Sequence, residues 1–175
     1  MTATVRAPAP TAGVWTVSDS RTQVAFAVRN LGRPVHGSVT CRWGELETDG
    51  TGAPVRVVGE LDLGTVDTGI AKRDADLRKP WLLDIERHPT MTWGADRFTR
   101  HDDGRWTAEG VLHVRGTSAP LAVTGVAEVL PDGWVRVRAT AALDRRSVGI
   151  RAPRFLIGST VEIDVDAWLS CPCPG

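Results

Sequence analysis

The residues of this sequence best suited to chemistry are few and far apart. Asp67, in the run Val66-Asp67-Thr68-Gly69, stands in a hydrophobic-Asp-Thr-Gly setting. Two such carboxylates sharing one proton can activate water against a peptide bond, so a chain with one copy would have to act as a homodimer. Leu156-Ile157-Gly158 is the kind of apolar-apolar-Gly run that backs such a loop. Against this chemistry, the triplet is followed by Ile70 and a charged helical stretch rather than by a small residue and a strand. Cys171 and Cys173 form a Cys-x-Cys pair, but two thiolates only half-fill a zinc site and the nearest His is distant in sequence. No two His residues have metal-ligand spacing, and no Ser-His-Asp order, nucleophile elbow or phosphate loop occurs. The expectation is therefore no catalytic residue, no metal and no cofactor.

Composition narrows the partners. With 21 basic and 21 acidic residues the formal charge is zero, which argues against a binder of phosphate backbones, so nucleic acid is not an expected partner. No stretch approaches the roughly 20 apolar residues of a transmembrane helix, and Met1 to Gly13 lacks the apolar core of a leader, so the expected location is cytoplasmic. Three cysteines suit a reducing compartment. The Ala/Pro/Thr-rich residues 1–13 and the terminal residues 170–175 read as flexible tails around one domain spanning 14–169.

The elements that would position a site are strands. Val24, Phe26 and Val28 share one parity, as do Val57, Gly59, Leu61 and Leu63; Met91, Trp93 and Ala95; and Trp106, Ala108, Leu112 and Val114. Leu121, Val123, Ala127 and Val129, then Val135 to Ala141, then Val161 to Ala167, continue the alternation. Asp49-Gly50, Asp103-Gly104, Arg115-Gly116 and Pro131-Asp132-Gly133 supply the turns between them. One-sided burial over so many short-linked strands predicts an all-β, antiparallel barrel of about eight strands. For the last two strands, the parity favours a register with Trp134 opposite Trp168, Arg136 opposite Asp166 and Arg138 opposite Asp164 on the outer face. Residues 69–83 break the rhythm. Ile70, Leu77 and Trp81 recur near helical spacing, Lys72/Asp76 and Asp74/Arg78 are four apart, and Pro80 ends the run, which predicts one inserted short helix. Asp67 is expected to support its start.

The same interruption carries a resemblance. Val66-Asp67-Thr68-Gly69, Arg73-Asp74-Ala75-Asp76-Leu77-Arg78 and the run Leu83 to Trp93, with Pro89-Thr90-Met91-Thr92-Trp93 at its end, are similar to the central signature of YceI-like proteins. Leu31-Gly32, Val35-x-Gly37, Gly110-x-Leu112-x-Val114-x-Gly116-Thr117 and Asp144-Arg145-Arg146 before Gly149 agree in order and spacing. The resemblance covers about residues 14 to 169. It implies a lipocalin-like barrel around a long apolar cavity, with polyisoprenoids or similar lipids as ligands. The chain departs from the family pattern at Ser18, Arg21, Asn30, Val39 and Ser147-Val148, which bears on the ligand's head group and leaves the fold expectation intact.

Alternation alone leaves a packed interior and a ligand cavity both open, because an eight-stranded barrel accommodates either. The small inward residues Gly59, Gly125, Ala95, Ala108, Ala127, Ala139 and Ala141, with the resemblance, favour a cavity. Phe26, Val28, Leu61, Leu63, Met91, Trp93, Trp106, Leu112 and Val114 are the candidate lining. Arg29, Arg73, Arg78 and His88 are the candidates for a ligand head group at a mouth near the helix. The expected function is non-catalytic binding of a polyisoprenoid, isoprenoid quinone or fatty-acyl chain. An isomerase or cyclase on the same barrel is the alternative, and a dimeric aspartic protease through Asp67-Thr68-Gly69 is the remote one.

Overall fold

Alternating burial turns these runs into one closed wall. The structure, a computed structural model, describes residues 10–152 and 157–171. Among these residues nine strands form a single antiparallel sheet: β1 Gly13–Val17, β2 Gln23–Asn30, β3 Arg33–Thr48, β4 Pro54–Asp67, β5 Thr90–Arg100, β6 Trp106–Val114, β7 Thr117–Val129, β8 Val135–Asp144 and β9 Thr160–Ser170. Consecutive strands from β2 to β9 pair as neighbours, and β9 returns to pair with β2. Strand β1 pairs with β3 at Gly13–Thr16 and with β9 at Thr16–Val17, so it continues the line of β2 beyond that strand's start. The result is the expected barrel of eight staves.

In β6 the buried Ala108, Gly110, Leu112 and Val114 alternate with exposed Glu109, Val111 and His113, which is the period of two made physical. The β2–β3, β4–β5, β6–β7 and β8–β9 connections lie at one end, called here the mouth end. At the other end Trp15, Leu46, Val135, Ala167 and Leu169 pack into a floor. Trp15 donates its indole N–H to Thr48 Oγ1 at 3.3 Å and to the Thr11 carbonyl at 3.1 Å, so the buried polar atom of the floor is satisfied.

Three details differ from the sequence reading. The helix is shorter than residues 69–83. It runs Ala71–Leu77 (α1), and hydrogen-bonded turns such as Leu83 N–H to Leu77 O and His88 N–H to Asp84 O carry the chain to β5. Its N-cap is Ile70, with no side-chain cap. Asp67 instead closes a turn two residues earlier by accepting from Gly69 N–H at 2.7 Å, and Asp74 accepts from the Thr68 N–H and hydroxyl. The i,i+4 ion pairs also give way: Asp76 takes Lys79 at 2.6 Å, one residue nearer than a four-residue spacing.

The β8–β9 register is shifted by two residues, so that Arg136 faces Trp168 and Arg138 faces Asp166. A shift of two preserves which side chains point outward, and hydrophobic parity cannot distinguish the two registers. The expected Arg136–Asp166 pair survives as a diagonal contact at 2.7 Å. Trp134 and Trp168 are joined by Arg21, whose guanidinium lies 4.4 and 4.3 Å from the two ring centres. At the termini, β1 begins at Gly13 and β9 continues to Ser170, each one residue beyond the expected domain bounds. The remaining parts of the two expected tails, residues 1–9 and 172–175 with Cys173, lie outside the described residues, as does Leu156.

At the end of β8, Asp144 caps a short 3-10 helix, Arg145–Val148, by accepting from Arg146 N–H. The Arg146 guanidinium also grips both carboxylate oxygens, at 3.0 and 2.8 Å, and this bonding holds the Asp144 pKa down at about 2. A carboxyl depressed in the folded state stabilises the fold above its unfolded pKa of about 3.9 and loses that contribution as pH falls through the folded value. Urea unfolding of Asp144→Asn should therefore show a flatter fall in stability than the parent between about pH 4 and about pH 2. Equal slopes for the two proteins would show that this cap carries no linkage.

Candidate functional site

The inward side chains of the wall do not fill the barrel. They leave an apolar lumen in two adjoining chambers, one of about 460 Å³ towards the mouth and one of about 270 Å³ towards the floor. Val24, Leu61, Met91 and Ile163 border both and form the waist between them. The mouth chamber is walled by Phe26, Val28, Leu63, Val114 and Leu143, and reaches α1 and its flanks at Ile70, Lys72, Arg73 and Trp81. The floor chamber is walled by Trp93, Trp106, Leu112 and Leu121. The small residues Gly59, Gly125, Ala108, Ala127, Ala139 and Ala141 also border it, which is where its space comes from, whereas Ala95 is buried in the wall and borders neither chamber. All nine candidate lining residues face one chamber or the other.

Two aromatic side chains lie flat on the wall rather than across the lumen. The Phe26 ring covers Gly37, its cross-strand partner, so closely that a Cβ there would clash with the ring edge. The Trp93 ring covers Gly110, where a Cβ would come within 2.6 Å of the indole nitrogen, and its N–H donates to the Leu121 carbonyl at 3.0 Å. A missing side chain thus makes room for a large neighbour to lie down, as aromatic residues do over strand glycines.

Cys41 borders the floor chamber, buried, with its thiol donating to the Trp43 carbonyl at 3.4 Å. Burial pushes this thiol's pKa up, which keeps it neutral and makes it a small apolar element of the wall. Among the described residues no group of His, Cys, Asp and Glu is placed to hold a metal ion, and no helix is long and apolar enough to cross a membrane.

A domain model described as YceI-like matches residues 15–169. The chain belongs to the YceI-like family. Among solved structures it is similar to Burkholderia cenocepacia BcnA, with a TM-score of 0.77 at 12% identity over 89% of this chain and 99% of that one. A polyisoprenoid-binding domain from Saccharophagus degradans, implicated in plant cell wall breakdown, gives a TM-score of 0.71 at 13% identity, covering 90% and 98% of the two chains. The Campylobacter jejuni YceI protein gives 0.61 at 13% identity, covering 75% and 79%. At such identities the likeness speaks for the fold. No curated protein matches the sequence.

The four head-group candidates of this YceI-like barrel separate. Arg73 borders the mouth chamber, where its guanidinium donates to the Thr68 hydroxyl and carbonyl, both at 2.8 Å. Arg29 lies exposed and donates to the Gly32 carbonyl, and Arg78 turns to Glu86 at 3.7 Å. His88 stands beside Gly116, and none of these three borders either chamber.

Sequence reasoning missed Lys72, which borders the mouth, and above all Arg145. Arg145 is 2% exposed and donates to the carbonyls of Ile150, Ala152, Ile157 and Gly158 at 2.7 to 2.9 Å. It ties both ends of the β8–β9 connection to the rim of the lumen. Its only sequence signal was its place in Asp144-Arg145-Arg146, where charge suggests a surface residue.

The wall geometry makes a direct prediction. Gly37→Ala should swing the Phe26 ring into the mouth chamber and narrow it. Gly110→Ala should displace Trp93, break its bond to Leu121 and destabilise the fold by about 1–3 kcal/mol. Crystal structures and denaturant titrations of the two variants check this, and an unmoved ring in either would contradict it.

Proposed function

We propose that the chain binds a long apolar molecule of polyisoprenoid, isoprenoid-quinone or fatty-acyl type in the barrel lumen and carries it without transforming it. The observation that carries this reading is the pair of adjoining apolar chambers, which share Val24, Leu61, Met91 and Ile163. Their volumes fall near the range of about 300–1,000 Å³ common for small-molecule sites. The wall from Val57 to Leu63 runs about 20 Å at roughly 3.3 Å per residue, so the space is long rather than round. Burial at about 0.8 kcal/mol per methylene drives capture without a convergent polar site, and it selects for length and girth more than for identity. The description of the Saccharophagus degradans relative as polyisoprenoid-binding supports the same ligand class.

A polar head would stay at the mouth, where Arg73 and Lys72 can meet it. Carriage is favoured over turnover because the deep wall is mostly aliphatic and aromatic, and its polar side chains are the neutral thiol of Cys41, the hydroxyl of Thr22 and the carboxylate of Glu45, which lies exposed at the edge. Native mass spectrometry of the purified protein, followed by organic extraction, should release an apolar molecule. Trp93 and Trp106 border the floor chamber, so titration with solanesol should change the tryptophan emission. Leu61→Phe narrows the waist, and each methylene kept out of the floor chamber forfeits about 0.8 kcal/mol. The variant should lose affinity for solanesol while retaining farnesol, which needs only the mouth chamber. Protein that is free of lipid and silent to both probes would refute the reading.

A further inference from the structure

The rim of the lumen has a composition that neither the fold nor the cavity requires. Leu31 is 65% exposed, and Ile70 and Trp81 are each 52% exposed. Ile70 and Trp81 border the mouth chamber, and Leu31 follows Asn30, which also borders it. Leu31 forms the β2–β3 turn with Gly32 at φ values of 51° and 76°. A two-residue hairpin with both φ positive favours Asn-Gly, so leucine at its first position is unfavourable for the backbone and unfavourable in water. Charge is divided along the same axis. Among the described residues, the connections at the mouth end hold, besides the buried Arg145, eight basic and four acidic residues, and those at the floor end two basic and five acidic, in a chain of zero net charge. At the strand ends of the same rim Arg29 and Arg33, beside Leu31, are offset in number by Asp67 and Asp144, so the basic excess comes from the connections.

We propose that the mouth end docks on an anionic lipid surface, with Leu31, Ile70 and Trp81 entering the headgroup boundary and the surrounding arginines and lysines meeting lipid phosphates. A tryptophan beside aliphatic residues and a cationic ring is the arrangement that holds proteins at such an interface. The direction of transfer rests on the carrier reading: a docked mouth lets an apolar chain pass from leaflet to lumen without crossing water. The charge asymmetry selects lipid over an apolar protein partner, because it supplies a non-directional attraction to a negative surface.

Sedimentation of the full chain with phosphatidylcholine vesicles, with and without phosphatidylglycerol, tests the docking. Partition should rise about tenfold with the anionic lipid and fall as salt shortens the Debye length from about 8 Å. Leu31→Asn should weaken partition by up to about tenfold, while thermal melting stays level or rises, because Asn suits this turn. Arg33→Glu combined with Arg151→Glu should abolish the response to phosphatidylglycerol. Trp43→Ser, an exposed apolar residue of the outer wall, should change nothing.

Partition indifferent to lipid charge, or undiminished in Leu31→Asn, or equally sensitive to Trp43→Ser, overturns the proposal and leaves the rim to a protein partner. Solanesol titration of the same Leu31→Asn protein separates the two readings, since Leu31 does not border the lumen. Vesicle binding as expected with no response to solanesol sinks the carrier and keeps the docking, whereas a solanesol response without vesicle binding does the reverse.

Discussion

Because β9 pairs with β2 while β3 pairs with β4, the staves described here have neighbours on both sides, and the backbone satisfies its hydrogen bonds around the circumference. An open sheet of this amphipathic pattern would have to cover its apolar face with another layer and protect two edges. Closure removes both obligations. It also fixes the width: eight staves enclose enough space for side chains or for one ligand, and the choice between them falls to residue size on the inner parity. Everything that makes this interior hollow, from Gly125 and Ala139 near the floor to the flattened Phe26 and Trp93, is a local decision taken inside a frame that hydrogen bonding has already closed.

Hollowness has a cost. Protein interiors are normally close-packed, and unfilled apolar space forfeits dispersion contacts. The barrel offsets this at its ends. The floor joins Trp15, with both indole bonds made, to Val135 and Leu169, which are almost fully buried. At the mouth, Arg145 spends its guanidinium on four carbonyls of the β8–β9 connection, those of Ile150, Ala152, Ile157 and Gly158. A buried arginine is expensive unless its donors are used, so Arg145 acts as the brace of the rim rather than as a ligand's counter-charge.

The parts legible in the sequence are those that depend on period and size. Alternation of two located the strands, turn residues separated them, and small residues such as Ala127 and Ala141 marked where space would be left. What escaped depends on geometry that parity does not encode. The β8–β9 pair is joined by a long connection rather than a tight turn, so nothing local distinguished its register from one two residues away. The helix stopped at Leu77 because the segment after it folds into successive turns, although Trp81 kept the helical spacing. Long cationic side chains were the hardest to place. Arg73, Arg78 and Arg29 look alike in sequence, and each is turned by its own partner: Arg73 by Thr68, Arg78 by Gly64 and Arg29 by the Gly32 carbonyl of the next turn.

The two ends of the barrel also differ in backbone strain. Among the described residues the non-glycine positions with positive φ are Leu31, Asp84 and Arg115, and all three lie in mouth-end connections. Such conformations cost stability and persist only where the surroundings hold them, which makes them commoner at sites that bind than in plain scaffolding. With the hydrogen-bonded floor at one end and strained turns at the other, local opening should be easiest where a ligand would have to enter. Occupancy would then stabilise the protein by mass action, since a chain filling the chambers binds the folded barrel and not the unfolded chain. A hollow core and a strained rim are thus two sides of one arrangement: the empty barrel gives up packing that a long apolar guest can return.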